Sequence, residues 1–373
     1  IDAILSNQFQ SNETGVSALV AKDGKVIYRK AFGKANLELD VNMTSENVFE
    51  VGSITKQFTA VAILMLLEEG KLSLEDDITK FIPEYPTNGK TITIHHLLTH
   101  TSGIKSYTAM QSFGKVMTMD ESPLKFIDFF KNEPMDFNPG EQYSYSNSGY
   151  FILGYIIEKA SGMSYQKFIQ ERIFDVIKMD SSYYGSHSKL IKNRASGYQK
   201  NGEFSNAQYI SLTLPYAAGA IMSSVDDMLK WQTALSNHVF VKQATLDKAY
   251  ANYTLNNGEK INYGYGWSIN EIHTIPTIEH GGAIPGYLSM GVFVPSKNVY
   301  VILFSNCACQ SPTNTALEIT ALAIDAPKIK KENPKVKIII TGCLSERKDV
   351  IRRLKNKVDI WLPIIDLPKL PNK

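Results

Sequence analysis

The chain has 373 residues, 43% of them hydrophobic and 20% charged, with a formal net charge of +2. These are ordinary globular values, and the length allows two lobes around a sizeable core. No uninterrupted apolar run reaches about 18 residues, so no membrane-spanning helix is indicated, and three sparse cysteines, Cys307, Cys309 and Cys343, give neither a disulfide framework nor a familiar zinc spacing.

The first predicted element is a hairpin. Val16 to Ala21 alternates weakly, Asp23-Gly24 is a strong two-residue turn, and Lys25 to Tyr28 returns. Next, Val48-Phe49-Glu50-Val51-Gly52 leads into Ser53-Ile54-Thr55-Lys56. A serine three residues before a lysine, in the first turn of a helix, places hydroxyl and amine on one face. Such an amine can take the serine proton if burial or a neighbouring cation lowers its pKa. The spacing alone is common, recurring at Ser102/Lys105, Ser112/Lys115, Ser122/Lys125, Ser164/Lys167, Ser186/Lys189 and Ser345/Lys348. Context distinguishes Ser53. Gly52 permits close approach of backbone or ligand. Phe58 to Leu67 is apolar nearly all round, which predicts a buried helix closed by Glu68-Glu69-Gly70. Lys56 is then expected to start a buried helix, where a charged amine is costly. An N-capping serine beside a solvated lysine would give the same local pattern.

Residues 75 to 225 are rich in helical periods and loops, with helical stretches at Leu124 to Lys131 and Ile157 to Met179. Within them, Pro139-Gly140 turns the chain through Glu141-Gln142-Tyr143-Ser144-Tyr145-Ser146-Asn147. A helix follows, with Tyr150, Leu153, Ile156, Ile157 and Ala160 at helical spacing and a close near Gly162. Tyr145 and Asn147 thus fall on a loop just before a helix, a common position for catalytic groups. A packed aromatic and a helix cap are the plainer readings of the two. Further on, Thr277-Ile278-Glu279-His280-Gly281-Gly282-Ala283 reads as a strand where something must lie close to the backbone, and bare N–H groups there could hold a carbonyl oxygen. A β-bulge with an incidental histidine would look the same. Gly286 to Val294 and Val299 to Ser305 form a second hairpin through Pro295-Ser296-Lys297-Asn298. Hairpins at both ends predict one antiparallel sheet built from the two termini.

Together the segments around Ser53, Tyr145-Ser146-Asn147 and His280-Gly281-Gly282 resemble the penicillin-recognising serine hydrolases, whose members include serine β-lactamases, D-alanyl-D-alanine carboxypeptidases and related esterases. The likeness is to the branch similar to class C β-lactamases. Leu97-Leu98-Thr99-His100-Thr101-Ser102-Gly103-Ile104 and Ala217 to Asp227 add to it, and it covers roughly residues 1–325. The resemblance implies an α/β fold, with an antiparallel sheet flanked by helices and an inserted, mostly helical lobe. It also implies roles. Ser53 would be the acyl-accepting nucleophile, and Lys56 and Tyr145 would share proton traffic, with Tyr145 able to ionise beside the lysine. Asn147 would hold the substrate amide or steady Lys56. The N–H groups of Ser53 and Ala283, flanked by Gly281 and Gly282, would form an oxyanion hole, and His280 would stand near a substrate carboxylate or the leaving group. A histidine there lacks a permanent charge at neutral pH, which weakens the case for anionic β-lactams as main substrates.

The expected organisation is a hydrolase domain over residues 1–326, with an α/β lobe at about 1–75 and 225–326 and a helical lobe at about 76–224, followed by an extension over 327–373. That extension holds 13 Lys/Arg and 5 Asp/Glu, a net of +8, which leaves an acidic body of net −6. Residues 333–366 resemble a strand-turn-helix piece of a methylthiotransferase N-terminal domain, with Cys343 in place of one cluster ligand. One thiolate cannot hold such a cluster, so no cofactor is expected. The basic end could touch nucleic acid only nonspecifically.

The expected activity is hydrolysis of esters or amides through an acyl-enzyme, with D-amino-acid peptide or ester cleavage ranked above β-lactam hydrolysis. The alternative is a penicillin-binding sensor that acylates without turnover. The expected partner is a small-molecule or peptide substrate. A chain that opens on Ile1 leaves room for a removed secretory signal, and the expected location is periplasmic or secreted.

Overall fold

Turn chemistry at four points of the chain sets the sheet. In the computed structural model Asp23 and Gly24 adopt φ of 52° and 70°, the primed-turn geometry that matches strand twist. Strand β1 (Val16–Lys22) therefore folds back on β2 (Lys25–Phe32). His273 and Thr274, at φ of 48° and 67°, do the same between β3 (Ser268–Ile272) and β4 (Ile275–Ile284). Pro285-Gly286 links β4 to β5 (Tyr287–Val294), and a 3₁₀ turn at Pro295–Lys297 leads to β6 (Val299–Ser305). The strands lie in the order β3-β4-β5-β6-β1-β2, with every pair antiparallel. The β1–β6 pair joins the two ends of the chain in one sheet, as the two hairpins predict. Strand β6 is buried along its whole length and β1 nearly so, which explains the weak alternation of Val16 to Ala21: both faces are covered.

The structure describes residues 1–324 and, beyond them, only two short strands, Ile339–Thr341 and Ile360–Leu362, which pair in parallel. Residues Ile1–Thr320 form one compact unit and Ala321–Lys373 a second. Most of the predicted strand Val336 to Ile340, and Cys343, lie outside the described residues.

The helix Thr55–Glu68 is buried from Thr55 through Met65 and Leu66. Phe58 stacks on Trp231, with ring centroids 4.1 Å apart, and Trp231 Nε1 donates to Gln57 Oε1 at 3.1 Å. Burying each large apolar side chain contributes about 1.5–3 kcal/mol. Phe58, Val61, Ile63, Leu64 and Leu66 therefore outweigh the several kcal/mol, roughly, of desolvating one ammonium. The helix can thus hold Lys56 in the interior, where burial pulls its pKa down.

The middle of the chain is less helical than its periodicity predicts. The helix Asn147–Ser161 stops at Gly162, which takes φ 73°. The expected run to Met179 instead breaks into Tyr165–Ile169, a π-helical turn at Gln170–Phe174 and Asp175–Ile177. The predicted helix over Leu124 to Lys131 is Pro123–Phe130. Short strands also occur here: Tyr183–Tyr184 and Phe49–Glu50 flank Ile221–Ser223, and Tyr198–Asn201 pairs with Glu203–Asn206. The cysteine expectation is corrected too, because Cys307 and Cys309 form a disulfide just after β6.

Candidate active site

The nucleophile turn is built against the sheet. Gly52 has φ 55°, and a Cβ at that position would lie 2.8 Å from the Ala283 nitrogen. Gly282 is tighter still, since its Cβ would lie 2.0 Å from the Val51 carbonyl oxygen. Ser289 Oγ donates to that same oxygen at 2.9 Å and fixes the turn to β5. These two glycines are what allow the Gly52–Ile54 turn to dock on the edge of β4. The edge is open because β3 pairs with β4 only as far as Glu279. Ile284 and Tyr287 flank the two-residue turn, so Ala283 and Leu288 form the next, non-hydrogen-bonded pair. The Ala283 N–H therefore faces the open edge, toward the Ser53 turn.

Lys56 Nζ has three oxygen neighbours: Ser53 Oγ at 3.2 Å, Asn147 Oδ1 at 2.8 Å and the Ala218 carbonyl at 2.8 Å. The two closer ones can only accept. A neutral amine has two N–H groups for them and one lone pair left, aimed at the serine hydroxyl. Burial pulls the Lys56 pKa well below that of an exposed lysine, which favours this neutral form. The same helical face pins the segment that supplies Ala218. Thr59 Oγ1 donates to the Ala217 carbonyl at 2.6 Å, and Thr55 Oγ1 accepts from the Ile221 N–H at 3.1 Å.

Tyr145 lies on the loop and Asn147 is the first residue of the helix, capped by Ser146, whose side chain accepts from the Gly149 N–H. Lys56 Nζ sits 4.7 Å from the centroid of the Tyr145 ring. Burial pushes the Tyr145 phenol well up, and its hydrogen bond to Ser53 offsets part of that. That upward shift favours a neutral phenol over the ionised Tyr145 expected from sequence. Asn147 Oδ1 faces Lys56 while its Nδ2 donates to Thr108 Oγ1 at 3.1 Å.

His280 lies on β4 with both ring nitrogens engaged. It is buried, its Nδ1 is 2.5 Å from the Gly281 carbonyl, and its Nε2 is 2.9 Å from the Tyr263 hydroxyl. The carbonyl can only accept, so Nδ1 carries the proton and Nε2 accepts from Tyr263. Burial lowers its pKa to about 4. It is an uncharged, fully engaged strand residue and offers no cation to a carboxylate. Ser53, Tyr145, Asn147 and Gly281 are half-buried and Ala283 is exposed, so a substrate can reach them, while Lys56 and Gly282 are enclosed.

Sequence reasoning placed Ala218 in a flanking block but gave it no role, because its contribution is a backbone carbonyl and leaves no side-chain signature. It also gave no role to Ser289, Tyr263 or His100, although His100 lies in one of the two flanking blocks. Among the described residues no group of His, Cys, Asp or Glu is placed to hold a metal ion, and no helix is long and apolar enough to cross a membrane.

A serine, a buried amine, a phenol and backbone donors grouped this closely can carry out acyl transfer. The β-lactamase family model matches residues 1–323. The chain belongs to the β-lactamase family. This is a fold family of serine hydrolases. Penicillin-binding protein 4* of Bacillus subtilis is 32% identical over 322 residues, covering 81% of this chain and 69% of that protein. Protein flp of Staphylococcus aureus is 28% identical over 316 residues, covering 82% of this chain and 62% of that relative, less than two-thirds of its length. Among solved structures, the octameric penicillin-binding protein homologue from Pyrococcus abyssi superimposes with a TM-score of 0.74 at 31% identity, over 87% of this chain and 75% of that one. D-amino acid amidase from Ochrobactrum anthropi SV3, complexed with D-phenylalanine, shares the fold, with a TM-score of 0.76 at 23% identity over 87% of this chain and 97% of that one. The methylthiotransferase resemblance read in residues 333–366 finds no support in these matches and is withdrawn.

Proposed function

We propose that this β-lactamase-family protein hydrolyses esters or amides through an acyl-enzyme on Ser53, with D-amino-acid peptides or esters favoured over β-lactams. The observation that carries the reading is the Lys56 amine, buried, bonded to two acceptor-only oxygens and within 3.2 Å of Ser53 Oγ. As Oγ bonds to the substrate carbonyl carbon, the amine takes the serine proton. The carbonyl oxygen gains negative charge between the N–H groups of Ser53 and Ala283, donors of a kind worth about 10²–10³ in rate. The C–O or C–N bond to the leaving group then breaks, and that group receives the proton from Lys56 by way of the Tyr145 hydroxyl. Water attacks the ester in the second step over the same relay and frees Ser53. Asn147 steadies the amine throughout.

The substrate preference rests on His280, which brings no charge to a carboxylate, and on the rings of Tyr143, Tyr145 and Tyr263, which suit an apolar acyl group. The Cys307–Cys309 disulfide supports a periplasmic or secreted location.

Intact mass spectrometry after incubation with a fluorophosphonate or benzylpenicillin tests the assignment, with the parent compared to Ser53→Ala. The expected result is one adduct on the parent, none on the variant, and sustained turnover of a chromogenic D-amino-acid ester. Labelling that survives in Ser53→Ala would remove Ser53 from its role. Stoichiometric acylation with no turnover would favour a penicillin-binding sensor.

A further inference from the structure

His100 takes no part in the proton path, yet it holds the loop that does. Its backbone stands at φ 59°, a left-handed conformation that residues with a Cβ rarely adopt. Its carbonyl accepts from the Ser144 N–H at 3.0 Å. Its Nδ1 accepts from the Ser146 N–H at 3.1 Å. Those two amides flank Tyr145, and the imidazole lies against the Tyr145 ring, with centroids 4.3 Å apart and planes inclined at 36°. One residue thus grips Tyr145 from both sides of its backbone and along its ring.

The cost of this arrangement shows what it is for. Because Nδ1 accepts, the ring proton resides on Nε2, and that atom is buried without a hydrogen-bond partner among the described residues. A left-handed backbone and an unpaired buried N–H both oppose folding. Leucine or phenylalanine would fill the space without the unpaired N–H. Neither supplies an acceptor for the Ser146 N–H, the amide that lies between Tyr145 and Asn147.

We propose that His100 is the positioning residue of the site: its acceptor nitrogen and its ring set the Tyr145 hydroxyl against Ser53 and keep Asn147 on Lys56. This rests on the reading of Ser53 and Tyr145 as the reacting pair. Two variants test it, both tolerant of positive φ. His100→Asn places an amide oxygen near the position of Nδ1. His100→Gly removes acceptor and ring while relieving the backbone. Stopped-flow acylation by a chromogenic ester is measured beside far-UV circular dichroism and melting temperature. His100→Gly is expected to acylate about 100-fold more slowly, with the apparent dissociation constant of the ester within about threefold of the parent. His100→Asn is expected to stay within about tenfold of the parent rate. A folded His100→Gly acylating within about threefold of the parent would overturn the proposal. So would equal losses in the two variants, which would place the effect in packing alone. If His100→Gly does not fold, His100→Asn decides, and a loss beyond about tenfold overturns it. A parent protein that forms no adduct at Ser53 would instead fell the reading of the site itself, an outcome distinct from any contrast between the variants.

Discussion

At the scale of single residues, burial decides charge. His280 occupies the strand position where a cation could meet a substrate, and its surroundings keep it neutral. The imidazole titrates near pH 6.5 in the unfolded chain, and its folded pKa is about 4. Above pH 6.5 both states are neutral and the residue has no effect on stability. As pH falls below that value the unfolded chain binds a proton that the folded protein does not, so stability drops until pH nears the folded pKa. Across the whole window the loss is about 3 kcal/mol. Urea unfolding at pH 7 and pH 4.5 should show the parent losing about 2 kcal/mol more than His280→Gln. Equal losses in the two proteins would show that the ring titrates normally. Lys56 follows the same logic, since burial pushes the pKa of its amine down as well.

At the scale of elements, the site depends on how closely a turn approaches a strand. Gly282 lies under the Val51 carbonyl, and Gly281 does not: a Cβ on Gly281 would lie 3.4 Å from its nearest neighbour, the Ser289 carbonyl. Gly282→Ala must push the Ser53 turn away from Ala283 and should slow acylation by about 100-fold, with a stability loss of about 1–3 kcal/mol. Gly281→Ala should lose at least about tenfold less. Comparable losses at both positions would mean that the close approach is not what the strand provides. The elements were legible where turn residues or unbroken apolar composition spoke for them, as at Asp23-Gly24 and Phe58 to Leu67. They were illegible after Gly162, where the chain stays buried and its apolar pattern continues although the helix has ended. The Tyr183–Tyr184 strand is too short to show a period at all.

At the scale of the whole molecule, three segments far apart in sequence meet around one amine: the Ser53 turn, the Tyr145–Asn147 loop and β4. Sequence named these segments because each carries side chains with recognisable chemistry. It marked the fourth, which begins at Ala217, only as a flanking block and gave it no role, because the Ala218 carbonyl is what takes part. Nor could it give the protonation state of Tyr145, which follows from enclosure by residues distant in the chain. On the proposed reading, enclosure lets a lysine whose pKa burial has lowered stand in for a histidine base.

That neutral lysine is the central claim, and the pH dependence of Ser53 modification tests it most directly. The second-order rate of fluorophosphonate labelling would be followed from pH 5 to pH 11 in the parent and in Lys56→Arg. The parent should react at neutral pH, with its rate falling on the acid side at an inflection well below about 10.4, the ordinary lysine value. Lys56→Arg, which keeps its charge, should be slower by about 10²–10⁴. A parent inflection at the ordinary lysine value, or an arginine variant that labels as fast as the parent, would contradict the account.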